Sequence, residues 1–329
     1  MQTVHAPNQS ASVTEDAMNA EPTMQNVTDH VHVREKEKNM HEVKAKGILS
    51  AQNGMNIYKG CTHGCIYCDA RSTCYQMDHA FEDIAVKVNA PELLEQALRR
   101  KRKKCMIGTG AMSDPYLHLE KELCLTRRCL EIIDEYGYGL AIQTKSDMLL
   151  RDLDIMKRIN QKTKCVVQMT LTTFDERLCQ ILEPHVCTTS RRIGVLNILR
   201  EEGIPTIVWM TPILPFINDT EENIRSILSA CRKAEVYGIM TFGIGLTLRD
   251  GNRQYFYQKL DQHFSGMKER YIKTYGNAYE LPVPRGKELM KLVRQECSDA
   301  GIEWRTEKIF EYMHQFEDKE VGRQLTLFD

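Results

Sequence analysis

Three cysteines share one short loop, Cys61-Thr62-His63-Gly64-Cys65-Ile66-Tyr67-Cys68, in the spacing C-x3-C-x2-C with a tyrosine just before the third. Thiolates this close in sequence can hold three corners of a metal centre and leave the fourth open. A structural zinc site closes its tetrahedron with a fourth protein ligand, whereas a cluster iron that lacks one can bind a small molecule directly. Two chemistries follow: an iron–sulfur cluster with an exchangeable corner, or zinc completed by His63 or Cys74. His63 lies between the first two cysteines, in a loop too tight for its ring to reach the same metal easily.

The rest of the chain bounds the choice. A length of 329 residues gives room for a substantial core plus appendages. The net charge of -1 carries no bulk signature of a nucleic-acid binder. No apolar run is long enough to cross a bilayer and no signal peptide is present, which implies a cytoplasmic protein with no membrane partner. Twelve cysteines without a secretory signal read as reduced thiols plus one metal centre. Of the others, Cys105 and Cys165 begin strands, while Cys124, Cys129, Cys179, Cys231 and Cys297 fall in helical patterns as small core residues.

The elements that must position the loop are legible as a repeat. Residues 1–42 are polar and poor in aromatics, a flexible tail that cannot bury enough apolar surface to order itself. Over 45–246, expected strands at 55–58, 105–108, 139–144, 165–171, 206–210 and 239–244 alternate with expected helices at 91–102, 119–136, 148–159, 191–202 and 220–236. This predicts an α/β core with a parallel sheet, whose site is built from the loops after the strands. The basic run Arg99 to Lys104 ends the first helix, on the opposite rim, where cations complement the helix dipole.

On the loop rim, Gly108-Thr109-Gly110-Ala111-Met112-Ser113-Asp114 offers close backbone approach. Lys145 emerges after the third strand, placed to pair with an anion. Thr170 to Thr173 end the fourth strand. Glu183-Pro184-His185 precedes Arg191 and Arg192, an anion-binding helix start. Thr211-Pro212 follows the fifth strand as a rigid wall.

The cysteine loop resembles the signature of the radical SAM superfamily, in which three cysteines ligate a 4Fe-4S cluster. In that superfamily S-adenosylmethionine chelates the open iron, and one electron cleaves it to a 5'-deoxyadenosyl radical. The loop, Ser113-Asp114, Thr144-Lys145 and Glu183-Pro184 also fall in the order of comparable motifs in the spore photoproduct lyase branch, over roughly residues 50–245. The resemblance implies an open partial (β/α)6 TIM-type barrel, with Cys61, Cys65 and Cys68 on the cluster. It implies cofactor contacts from Tyr67, Gly108, Thr109, Gly110, Ser113, Asp114, Lys145, Thr170 and Glu183, and a reductase, flavodoxin or ferredoxin as electron donor. There are two departures. Asp69 stands where the lyase has a tyrosine, and Ala111 stands where it has its hydrogen-donating cysteine. Either Tyr67 or Cys74 acts as a hydrogen-atom relay, or the reaction differs.

The segment 247–329 is expected as a mostly helical extension rich in charge and aromatics. These residues either pack over the open barrel or grip nucleic acid. Its end, Gln324-Leu325-Thr326-Leu327-Phe328-Asp329, resembles peptides that dock on the DNA sliding clamp, with Gln324, Leu325, Leu327 and Phe328 as anchors. The reading is a radical SAM enzyme acting on DNA or another nucleic acid in a repair-lyase-like reaction. The alternatives are a protein or small-molecule substrate, or a zinc-organised module associated with DNA or the clamp without catalysis.

Overall fold

The computed structural model describes residues 40–319. The tail over residues 1–39 and the clamp-like peptide Gln324, Leu325, Leu327 and Phe328 lie outside the described residues. The tail expected to reach residue 42 stops earlier, because β1 (Met40–Val43) pairs in parallel with β4 (Ile84–Lys87).

The core is a six-stranded parallel sheet in sequential order: β2 (Gly54–Met55), β5 (Met106–Thr109), β6 (Gly139–Thr144), β7 (Cys165–Thr170), β8 (Thr206–Trp209) and β9 (Gly238–Met240). Helices α1 (Ala90–Arg100), α2 (Glu120–Leu123), α3 (Leu125–Glu135), α4 (Leu153–Lys162), α5 (Glu176–Leu182), α6 (Thr189–Glu201) and α7 (Glu221–Lys233) fill the crossovers. The expected six-unit partial barrel is the observed one. Strand residues alternate between two cores, as the period of two requires. Ile107, Leu140, Val167, Val208 and Ile239 pack beneath the helices. Met106, Ala141, Val166, Ile207 and Met240 face the concave side.

What fills the concave side comes from the extension, which runs α8 (Asn252–His263), α9 (Met267–Tyr275), α10 (Gly286–Ala300) and α11 (Thr306–His314). Ile309 and Met313 of α11 complete the concave cluster, leaving the strands' C-terminal ends open above it. Buried Lys164 ties α11 down, donating to the Tyr312 carbonyl at 2.8 Å with its ammonium 3.5 Å from that ring's centre. Arg99 and Lys104 of the basic run bond Tyr136, at the C-terminus of α3, on the rim where cations were expected. Among the described residues no helix is long and apolar enough to cross a membrane.

Several expected elements change once their partners are visible. The strand at 55–58 splits, since β3 (Tyr58–Lys59) turns away to pair antiparallel with β4. The helix at 119–136 breaks at Cys124, which is left-handed. The carboxylate of Glu120, wholly buried, accepts from Thr126 N at 2.7 Å and so caps the first turn of α3. The strand at 239–244 stops at Met240. The chain then leaves the sheet, and β10 (Gly245–Thr247) pairs antiparallel with β11 (Glu280–Pro282). The boundary placed at residue 246 falls inside β10, which pairs with a strand of the extension.

Candidate active site

Each shoulder of the cysteine loop is held by the rim it faces. On one side Cys61 N donates to the Phe81 carbonyl at 3.0 Å, and Ser113 Oγ donates to the Gly60 carbonyl at 2.5 Å. On the other, Ile66 N donates to Leu182 O at 2.9 Å and His185 N to His63 O at 3.2 Å, so the Glu183-Pro184 turn backs the loop through the main chain. Ser113, expected to touch cofactor, lines the cavity described below, and its hydroxyl also fixes the cysteine loop.

Asp114 has a similar role. Its carboxylate accepts from Thr144 Oγ1 at 2.7 Å, Lys145 N at 2.8 Å and Tyr116 N at 2.9 Å, with His63 Nδ1 at 3.4 Å. It locks the loop after β5 to the end of β6. Gly110, with φ 99°, makes that contact possible: a Cβ there would lie 2.0 Å from the Gln143 carbonyl oxygen. Gly108 and Thr109 remain within β5 and do not line the cavity described below.

The third brace is a buried ion pair. Glu183 accepts from the Tyr67 phenol and from Arg192 Nη2, and Arg192 reaches the Thr170 carbonyl at 2.7 Å through Nη1. Both charged side chains are almost wholly buried. Burial alone would raise the Glu183 carboxyl, but Arg192, Lys145 and the Tyr67 hydroxyl hold it below the usual carboxylate range. Glu183 and Thr170, expected as cofactor contacts, thus act behind the cysteine loop. Arg192, expected at an anion-binding helix start, has its anion inside the protein. Arg191 pairs with Asp147 at 2.7 Å on the surface.

Above these braces lies a cavity of about 790 Å³. Cys61, Cys65, Cys68, Tyr67, Gly110, Ala111 and Lys145 all line it, on the rim the sequence indicated. Lys145 is the one lysine or arginine in that lining among the described residues. Desolvation works against its charge, while Cys65 and Cys68 as thiolates, with Glu183 and Asp114, raise the ammonium pKa. Cys74 does not line the cavity: its sulfur turns to the outer face, 3.5 Å from Arg249 Nη1. Of the two candidate relays only Tyr67 reaches the space, and its hydroxyl is committed to Glu183.

The donor set fits a cluster better than one zinc ion. The three cysteines are free thiols lining one space, and among the described residues no three His, Cys, Asp or Glu side chains are arranged to hold a single ion. A four-iron cube takes each thiolate on a different iron and needs no such convergence. Burial pushes the Cys61 thiol up to about 12 and raises Cys65 and Cys68 as well, so metal charge is needed to draw off their protons. His63, considered as a fourth zinc ligand, points its Nδ1 at Asp114.

Arg249, which the sequence places straight after the last core strand among residues that could close the cavity, bridges the extension to the loop. It lies 3.4 Å from Asp69 Oδ2 and 3.2 Å from the Tyr75 hydroxyl, and donates to the Tyr279 hydroxyl at 2.8 Å.

Comparison with known proteins supplies the remaining findings. The family model of the radical SAM superfamily matches residues 55–231. An uncharacterized protein of Mycobacterium tuberculosis is 28% identical over 260 residues, covering 77% of this chain and 75% of its own. The radical SAM Nalpha-GlyT isomerase of Pseudomonas phage M6 is 25% identical over 167 residues, covering 51% of this chain and 34% of its own. Among solved structures, a spore photoproduct lyase mutant with bound AdoMet and dinucleoside spore photoproduct superposes with a TM-score of 0.53 at 16% identity, covering 77% of this chain and 75% of that one.

Proposed function

The chain belongs to the radical SAM superfamily, and on that premise we propose that it performs hydrogen-abstraction chemistry on a nucleic-acid substrate, in a reaction related to that of the repair lyases. When bound, the 4Fe-4S cluster and SAM supply a one-electron cleavage of the sulfonium and a carbon-centred radical. The chain's own residues do the positioning. Cys61, Cys65 and Cys68 would hold the cluster, Ser113 and the Glu183-Pro184 turn keep the cysteine loop in place, and Lys145 would take the SAM carboxylate.

One observation carries the substrate reading. The cavity runs from the cysteines to an aromatic rim of Trp209, Phe242, Tyr75 and Tyr279. At about 790 Å³ it lies high in the range of roughly 300–1,000 Å³ common for small-molecule sites. That leaves space for a nucleotide beside the cofactor. The solved lyase that holds AdoMet together with a dinucleoside supports the reading by analogy of fold.

Ala111 sets this chain apart. It faces the cavity, and its methyl group cannot replace a thiol as hydrogen-atom donor. The substrate radical therefore ends differently here, and the phage relative, whose name denotes an isomerase, supports an outcome other than photoproduct cleavage.

The test is 5'-deoxyadenosine formation by anaerobically reconstituted, reduced protein given SAM, with and without ultraviolet-irradiated DNA. A rise with irradiated DNA is expected. Equal formation in both would remove damaged DNA as the substrate and leave the radical chemistry standing. Lys145→Gln is expected to raise the KM for SAM about 10- to 100-fold, the worth of a hydrogen bond to a charged group. An unchanged KM would remove Lys145 from the carboxylate site.

A further inference from the structure

Phe242 is the most exposed large apolar side chain among the described residues, at 56%. It follows β9, the edge strand opposite the one that leads into the cysteine loop. Its φ is 49°, and Gly243 next to it has φ 80°. A bulky side chain in the left-handed region is strained where glycine would not be, so this ring is kept at a cost to the backbone. The ring is also held in place. Its centre lies 5.3 Å from that of Trp209 at an interplanar angle of 50°, and 6.0 Å from that of Phe310 on α11. The Trp209 indole is fixed in turn, donating from Nε1 to Gln168 Oε1 at 2.9 Å. Both Trp209 and Phe242 line the cavity.

We infer that Phe242, propped by Trp209, forms a shelf on which a base of the substrate strand stacks, and that this base belongs to a single strand or has left its duplex. The inference rests on the nucleic-acid reading above and names the form of nucleic acid the site accepts. A base within a duplex has both faces covered by its neighbours, and a concave site of this size admits a nucleotide rather than a helix. Stacking on aromatic side chains offsets the loss of base–base stacking and tolerates any base. Phe242, 56% exposed, stands on the solvent side of the rim, where a polymer arrives.

The experiment measures binding of a single-stranded thymine oligonucleotide carrying one 2-aminopurine to reconstituted, SAM-loaded enzyme. Affinity and quenching of the 2-aminopurine are both read. Wild type is expected to bind and quench, and to bind the same sequence less well as a duplex. Phe242→Ala is expected to lower affinity about tenfold and to remove most of the quenching. Phe242→Tyr, which keeps the ring, restores both. SAM affinity is expected to be the same in all three proteins. Strand binding and quenching indifferent to Phe242 would overturn the shelf and leave the nucleic-acid reading intact. A parallel loss of SAM affinity in Phe242→Ala would also overturn it, by making the ring a wall of the cofactor site. Failure of wild type to bind any strand, single or double, would remove the nucleic-acid reading along with the shelf.

Discussion

Cys65→Ala protein is expected to form no detectable 5'-deoxyadenosine and to lose most of its iron and labile sulfide after anaerobic reconstitution. Cys65 is buried and lines the cavity together with Cys61 and Cys68. A cube held by two protein thiolates keeps two open irons, so it is both weakly bound and wrongly oriented for a single chelating cofactor. The same result is expected at Cys61 and Cys68. Cys105→Ser serves as the control, because that thiol sits just before β5, at the end of the sheet away from the cavity. Cys65→Ala protein with wild-type iron content and product would strike Cys65 from the ligand set. Stoichiometric zinc in wild-type protein purified without air would revive the non-catalytic reading.

The second large effect concerns stability. Arg192→Met is expected to destabilise the fold by about 3–5 kcal/mol, because it leaves the Glu183 carboxylate buried without its counter-charge. For a core of this size that corresponds to a fall in melting temperature of roughly 10 °C. The pH dependence follows from the direction of the Glu183 shift. With Arg192 present the folded pKa lies below its ordinary 4.5. The pair's contribution is therefore fully present above that value and is lost as pH falls through the depressed folded pKa. Without Arg192 burial dominates and raises the carboxyl, so the variant's penalty is greatest at neutral pH and eases as Glu183 takes up a proton. Melting curves from neutral pH toward the ordinary carboxylate range should show the gap between wild type and variant narrowing. A gap that is constant or widens would show that Arg192 acts through packing alone. Arg192→Met combined with Glu183→Gln should recover part of the loss, since it removes the unpaired charge.

Loss of Arg192 also separates support from chemistry. Its partner Glu183 holds the Tyr67 hydroxyl, and the turn that carries Glu183 is hydrogen-bonded to the cysteine loop. Loosening that turn disturbs the loop without removing a ligand, so reduced product at near-normal iron content is the expected signature in the Arg192 variant.

What could be read from the residues alone was local. The C-x3-C-x2-C loop spans eight residues, and its ligand spacing is a property of the sequence. The alternation of period-two and helical segments likewise gave the six-strand parallel core, since each strand or helix carries its own pattern of burial. The same holds for Ala111 and Lys145, which take their places on the rim from their positions just after a strand. What the tertiary structure decided was which polar groups face the ligand and which face each other. Ser113, Asp114 and Glu183 read as cofactor contacts; the structure shows in addition that they brace the cysteine loop and its neighbours, through partners from other elements. Tyr67 and Glu183 are 116 residues apart, and Lys164 and the Tyr312 carbonyl 148. The helix that fills the barrel and the pairing of β10 with β11 are also set by such distant contacts. Local spacing fixes which side of its own element a residue occupies. Which distant group then meets it depends on strand register, crossover path and the closing of long loops, and these are settled only when the whole sheet has assembled.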